Sequence, residues 1–234
     1  MLSPIVVKIF ELMPESLVIA LGKKIMNGYI KKYADLNIEG YEEIKDIEGP
    51  KIFICNHLSN SDGLVLSSIL KKDFDPYFIA GAKLSDDPIT KIGTEIVKNI
   101  KVKPNTADKE AITAMVKTLK NGENIMIFPE GTRSRTGEMI EGKKGILLLA
   151  RLTKASIIPI GMTGTEKLLP IDDSHDMGKE TWHHAKVNVK FGEPVVLTKR
   201  EKDEEKHDYE DRCLTTIMKS IAKLLPENYR GVYK

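Results

Sequence analysis

Residues 56–62 read Asn-His-Leu-Ser-Asn-Ser-Asp, and they follow the apolar run Phe53-Ile54-Cys55. His57 and Asp62 are the pair that could do chemistry. On one continuous helix, residues five apart point about 140° away from each other, at 100° per residue. They can meet if His57 sits in a loop and Asp62 in the first turn of the helix that follows. Ser59 or Asn60 are the candidate caps of that helix, and Gly63 would relieve crowding where the chain turns. Asp62 would then hold one imidazole nitrogen and leave the other free to accept a proton. A plainer reading competes. A carboxylate at a helix N-terminus is favoured by the helix dipole alone, and a lone His in a loop is more often a surface residue than a base.

A second polar cluster, FPEGTRSRTG, spans residues 128–137. It offers Glu130, a turn at Gly131, Thr132, Arg133, Ser134 and Arg135. Backbone N–H groups in a turn, with a guanidinium fork beside them, suit a phosphate. Lys143 and Lys144 follow closely. From Lys117 to Lys154 there are eight basic and four acidic side chains, a basic excess. An exposed polar hairpin would have a similar composition.

Two other groups invite a chemical reading. Cys55 and His57 would face the same side of a continuing strand, so a thiol nucleophile with a His base is conceivable. Cys55 ends an apolar run, however, and a buried, inert thiol is the expectation. The segment DDSHDMGKETWHH (172–184) is rich in His and Asp but has no zinc-ligand spacing. It is expected to be a surface loop with Trp182 pinned to the body, and no metal is expected.

The elements that must position these groups follow from hydropathy periods. LNIEGYEEI (36–44) alternates as a half-buried strand would, with Gly40 allowing a turn. KIFIC (51–55), PYFIAGA (76–82), ENIMIFPEG (123–131), SIIPIGMTG (156–164) and KVNVKFGEPV (186–195) read as strands. Residues 64–72, 89–100, 109–122, 143–155 and 208–225 have helical spacing, and Asn121-Gly122 is a C-terminal stop. Strands apolar on both faces, alternating with helices, point to an α/β layered domain. Its sheet would be mainly parallel and twisted, flanked by helices. Ligands in such sheets bind beyond the carboxyl ends of the strands. Both polar clusters are expected there, after Cys55 and after Phe128.

The 234 residues suit one sizeable domain or one with an appendage. A net charge of +2 and 6 % aromatic content exclude a dedicated nucleic-acid binder with stacking platforms. Two distant cysteines, Cys55 and Cys213, form no disulfide framework and fit a reducing compartment. The mixed-sign run 199–212 reads as a solvated loop and helix start. Residues 1–35 are apolar but broken by Lys8, Glu11, Glu15, Lys23 and Lys24, well short of the ~18–20 apolar residues that span a bilayer. They lack the pattern of a signal peptide. Val18, Leu21, Ile25, Tyr29 and Tyr33 recur at helical spacing among lysines, which predicts an amphipathic helical pair meeting near Pro14. Such helices either anchor at a membrane interface or cover one side of the domain (36–234).

Taken together, NHLSNSD and FPEGTRS resemble the NHxSxxD and FPEGTRS signatures of the glycerolipid acyltransferases, in order and about seventy residues apart. The KKG element at 143–145, the IIPI strand (157–160) and the LPENYRGVY ending resemble the bacterial 1-acylglycerol-3-phosphate acyltransferases of the PlsC type. The resemblance runs from about Gly40 to the C-terminus. It implies that His57 is the general base on an acceptor hydroxyl and that Asp62 orients it. The hydroxyl would attack an acyl thioester directly. Glu130, Gly131, Thr132, Arg133 and Ser134 would hold the glycerol phosphate, with Asn56 and Ser59 in support. Ile158, Pro159 and Ile160 would lie towards the acyl chain. In place of the family's V-x-R element the chain reads IKVKP, which sets Pro104 at the Arg position and leaves Lys103 or Lys101 to supply the charge, as a point rather than a fork.

The implied acceptor is a lysophospholipid, 1-acyl-glycerol-3-phosphate, and the product phosphatidic acid. The donor would be acyl-CoA or acyl carrier protein, with no cofactor. The resemblance also shifts residues 1–35 towards membrane association, at the cytoplasmic face as a peripheral or monotopic protein with no transmembrane span. The alternatives are glycerol-3-phosphate or another lysophospholipid as acceptor, a thioesterase, or a non-catalytic lipid-binding protein of the same fold.

Overall fold

The computed structural model describes residues 14–81, 97–103, 106, 108–172 and 179–234. The order is α1 (Glu15–Tyr33), β1 (Ala34–Glu39), β2 (Lys51–Cys55), α2 (Asp62–Leu70), β3 (Tyr77–Gly81) and β4 (Asn99–Val102). Then come α3 (Lys109–Lys120), β5 (Ile125–Ile127), α4 (Gly145–Thr153), β6 (Ser156–Thr163), the single turn α5 (Thr165–Leu168), β7 (Ala185–Phe191) and α6 (Lys206–Ala222). The strands form one seven-stranded sheet in the order β1-β7-β6-β2-β5-β3-β4. Every neighbouring pair is parallel except β6 with β7. The mainly parallel α/β sheet expected from the sequence is present.

β2 sits in the middle because each of its five residues is buried, as a strand covered on both faces must be. Ile52 and Ile54 pack under α3, α4 and α6 with Met115, Leu119, Ile146, Leu149 and Ile217. Phe53 and Cys55 point the other way, to Val65, Leu66 and Leu70 of α2 and to Met126, Ile158 and Ile160. α2, which follows β2, and α4, which follows β5, therefore cover opposite faces of two adjacent strands. In open α/β sheets, ligand sites form beyond the carboxyl ends of strands that diverge in this way.

α3 illustrates how local signals set an element. Asp108 caps it, accepting from the Ala111 N–H at 3.1 Å. Ala111, Met115 and Leu119 form its buried stripe, and Gly122 closes it at φ +82°. Pro159 lies inside β6 but beyond the β7 pairing, which covers only Ile160–Thr163. The missing N–H is tolerated where a ladder has ended.

Three expectations change. The helix over 89–100 falls outside the described residues up to 96, and Asn99–Val102 is strand β4, with Ile100 and Val102 alternating with Asn99 and Lys101 at the strand period. The first strand starts at Ala34 and stops at Glu39, because Gly40 turns the chain at φ +74°. The boundary expected after residue 35 thus falls inside β1, which pairs along its whole length with β7. Of the N-terminal pair, only the helix after Pro14 lies within the described residues. It buries Ile30, while Leu17, Ile25 and Tyr29 stay exposed.

Gly40 and Gly122 share a left-handed backbone but differ in surroundings. A methyl group on Gly40 would overlap the Phe191 carbonyl oxygen, whereas one on Gly122 meets nothing within 4 Å. Gly122→Ala is expected to lower stability by about 1 kcal/mol, the cost of the conformation alone. Gly40→Ala is expected to lose more than about 2 kcal/mol, because overlap is added to strain. Urea denaturation midpoints check the difference; equal losses would place the constraint in the dihedral only.

Candidate active site

The loop 56–61 leaves β2 and enters α2 with Asp62 as the first helical residue. One carboxylate oxygen organises it. Asp62 Oδ2 accepts from His57 Nδ1 at 2.7 Å, from the Leu58 N–H at 2.6 Å and from the Ser59 N–H at 2.9 Å. Asp62 is fully buried, and the His57 side chain is 20 % exposed. With Asp62 as a carboxylate, Nδ1 carries the proton and Nε2 keeps its lone pair. The ring lies flat on Phe128, 4.0 Å between centroids and 15° between planes. One edge and one face of the imidazole are thereby fixed.

Ser61, not Ser59 or Asn60, precedes the helix, and it makes no side-chain cap. Ser59 Oγ instead donates to the Leu169 carbonyl at 2.7 Å and accepts from the Ser61 N–H. Asn56 spans to β6, accepting from the Met162 N–H and donating to its carbonyl, both at 2.9 Å. Both residues brace the loop against β6 and the segment after it. A methyl group on Gly63 would make only ordinary contacts, with the Phe78 ring at 3.8 Å, so crowding there does not demand glycine.

Glu130 differs from its expected role. It is 1 % exposed. One oxygen accepts the His57 N–H at 2.9 Å, and the other accepts the Ile140 N–H at 2.8 Å. A carboxylate turned onto two backbone donors and shut away from solvent does not face the outer side of the turn, where a phosphate would sit. It is a bracket between the His57 loop and the segment after the turn. Burial pushes its carboxyl up to about 7, the two backbone donors pull it down, and the charge of Asp62 adds to the rise.

Most of the other residues of the turn face outward. The chain passes Gly131 at φ +71°, and the Lys143 side chain lies across it, so that a methyl group there would meet Lys143 Cε at 3.0 Å. Gly131 and Thr132 are exposed. Ser134 is buried, and its N–H donates to the His57 carbonyl at 2.8 Å. Arg133, 22 % exposed, donates from Nη1 to Glu180 Oε1 at 3.0 Å. Lys103 stands apart. It follows β4, three strand positions from β2 and roughly 14 Å away at ordinary strand spacing. Its N–H donates to Asp108.

Cys55 is fully buried, and burial pushes its thiol well up, with the charges of Asp62 and Glu130 adding to the rise. It is not a reactive thiol. Trp182 is pinned as expected, stacked on Tyr29 at 5.6 Å. Sequence reasoning missed Phe128, read only as the end of a strand, and Glu180, hidden in a polar segment without periodicity.

The arrangement can abstract a proton from a hydroxyl beside a cationic turn. A family model described as Acyltransferase matches residues 35–163. A chloroplastic 1-acyl-sn-glycerol-3-phosphate acyltransferase of Arabidopsis thaliana is 28% identical over 168 residues, covering 71% of this chain and 45% of that protein. A lyso-ornithine lipid O-acyltransferase of Rhizobium meliloti is 24% identical over 215 residues, covering 80% and 68%. The chain spans about half the length, or less, of most of the curated relatives it matches. In fold it resembles the crystal structure of the 1-acyl-sn-glycerophosphate acyltransferase PlsC from Thermotoga maritima, with a TM-score of 0.58, 24% identity, and 91% and 86% of the two chains covered.

Glu130 holds its proton more tightly folded than unfolded. The stability tied to that proton is full below about 4.5 and is lost as pH rises towards about 7. At about 1.4 kcal/mol per pH unit the loss reaches roughly 3 kcal/mol. Glu130→Gln removes this slope. Its unfolding free energy, measured against the wild type by urea titration, is therefore expected to gain ground between pH 5 and pH 7.5. A difference independent of pH would refute the assignment.

Proposed function

This chain belongs to the acyltransferase family, and on that premise we propose that it transfers a fatty acyl group from an acyl thioester to the free hydroxyl of 1-acyl-glycerol-3-phosphate, giving phosphatidic acid. His57 Nε2 takes the hydroxyl proton as the oxygen attacks the thioester carbonyl carbon. The tetrahedral intermediate collapses by breaking the C–S bond, and the imidazolium returns the proton to the departing thiolate. Asp62 holds Nδ1–H through both steps and compensates the imidazolium charge. No acyl-enzyme forms, since the neighbouring thiol, Cys55, is buried.

The observation that carries this reading is how His57 is tied to the cationic turn. Its ring is bound to Asp62, and its own N–H and carbonyl are bound to Glu130 and Ser134, either side of Arg133. A base and an anion grip tied through the backbone of one residue suit an acceptor with a hydroxyl a few bonds from a phosphate. Arg133, Lys143 and the exposed backbone of Gly131 and Thr132 take the phosphate. Glu130 stands behind them as the bracket.

α1 is assigned to the bilayer surface, where the lipid acceptor resides. Its exposed Leu17, Ile25 and Tyr29, beside Lys24, Lys31 and Lys32, support interfacial docking. No helix among the described residues is long and apolar enough to cross a membrane.

A second reading keeps the chemistry and changes the acceptor. The similarity to a lyso-ornithine lipid O-acyltransferase favours testing a lysolipid without phosphate. Thiol release from acyl-CoA is measured with lysophosphatidic acid, lyso-ornithine lipid, glycerol-3-phosphate or no acceptor, and each product is weighed. Lysophosphatidic acid is expected to give the highest turnover and the mass of phosphatidic acid. Release without acceptor would make the protein a thioesterase, and lipid binding without release a non-catalytic one.

Two substitutions probe the mechanism. His57→Ala is expected to lower turnover at least 100-fold with the fold intact by circular dichroism. Cys55→Ala is expected to keep most activity. If its turnover collapsed in a folded protein, direct transfer would be wrong.

A further inference from the structure

We propose that Glu180 is the positioning residue that aims Arg133 at the acceptor's phosphate, an inference resting on the acceptor reading above. Its side chain is 4 % exposed, against 22 % for Arg133, so the guanidinium lies on the solvent side of the carboxylate. Both oxygens are engaged. Oε1 accepts from Arg133 Nη1 at 3.0 Å, and Oε2 accepts from Asn60 Nδ2 at 2.7 Å. Asn60 belongs to the His57 loop. Glu180 thus joins the base loop to the phosphate turn from outside the matched segment 35–163.

Its own place is fixed nearby. The His183 N–H donates to the Leu168 carbonyl at 2.9 Å, and Trp182 stacks on Tyr29 of α1. A guanidinium has five N–H donors in a rigid fork. Holding Nη1 from behind presents the rest in one orientation, so the phosphate meets a preorganised donor rather than a free rotor. The carboxylate sits too far inside to compete for the anion's place.

The test compares wild type and Glu180→Gln in steady-state transfer from acyl-CoA to lysophosphatidic acid and to monoacylglycerol, which lacks the phosphate. It adds calorimetric binding of glycerol-3-phosphate. The expected result is a KM for lysophosphatidic acid raised about tenfold, with kcat and the acyl-CoA KM unchanged, unchanged turnover of monoacylglycerol, and weaker glycerol-3-phosphate binding. A general structural defect would move both acceptors. A lower KM would overturn the proposal by making Glu180 a rival of the phosphate, and unchanged constants would overturn it outright. Should Glu180→Gln not fold, Asn60→Ala, which frees the other carboxylate oxygen, must raise the same KM or the proposal fails. A wild type without acceptor-dependent turnover refutes the acyltransferase reading instead. Glycerol-3-phosphate binding equal in wild type and variant would then refute the role of Glu180 as well.

Discussion

The backbone of His57 is gripped on both sides, through two successive peptide units. Its N–H is held by Glu130 and its carbonyl by the Ser134 N–H, at 2.9 and 2.8 Å. Without these two hydrogen bonds, the loops after β2 and β5 would be independent surface turns on neighbouring strands. With them, the imidazole cannot shift without carrying the cationic turn along. The parallel pairing of β2 with β5, Ile54 beside Ile127, delivers both chain ends to one edge at one height. Hydrogen bonding then converts adjacency into register.

The same constraint accounts for an expensive feature, three carboxylates in or near the interior around one loop. An isolated buried carboxylate is strongly unfavourable. Each of the three is instead an acceptor for donors that the chain must satisfy. Asp62 takes the N–H groups of Leu58 and Ser59 besides the imidazole, Glu130 takes those of His57 and Ile140, and Glu180 takes Asn60 and Arg133. A loop that departs from strand geometry leaves backbone donors without ladder partners, and side-chain oxygens replace them. The polar density of 56–62 is therefore structural as well as chemical. The two uses share the same atoms, as at Asp62 Oδ2.

What could be read from the sequence follows this division. The alternation of apolar strands and helices located the sheet, and the pairing of His57 with Asp62 followed from placing one in a loop and the other in a first helical turn. Local signals sufficed there, because both groups lie within one turn of chain. Glu130 was misassigned because residue type does not reveal direction. Glu and Arg in one turn both suggest a polar ligand, yet one side chain points into the protein and the other out. Glu180 was invisible for a different reason. Its partners are 47 and 120 residues away, and nothing in a mixed polar run marks the one acid that turns inward. Strand β4 was lost to a helical period that its four residues do not follow.

The opposite orientations of Glu130 and Arg133 separate the charges of the turn. If Glu130 also faced outward, its charge would offset that of Arg133, and the turn would be a weak anion site. Drawn inward onto two N–H groups, it leaves Arg133 and Lys143 to set the sign of the outer face, with Gly131 at positive φ giving Lys143 room to cross. Glu180 returns one negative charge to the site, but behind the guanidinium and shared with Asn60. On the proposed reading, a single turn would bind an anion without leaving a buried cation unpaired, beside the imidazole whose backbone it holds.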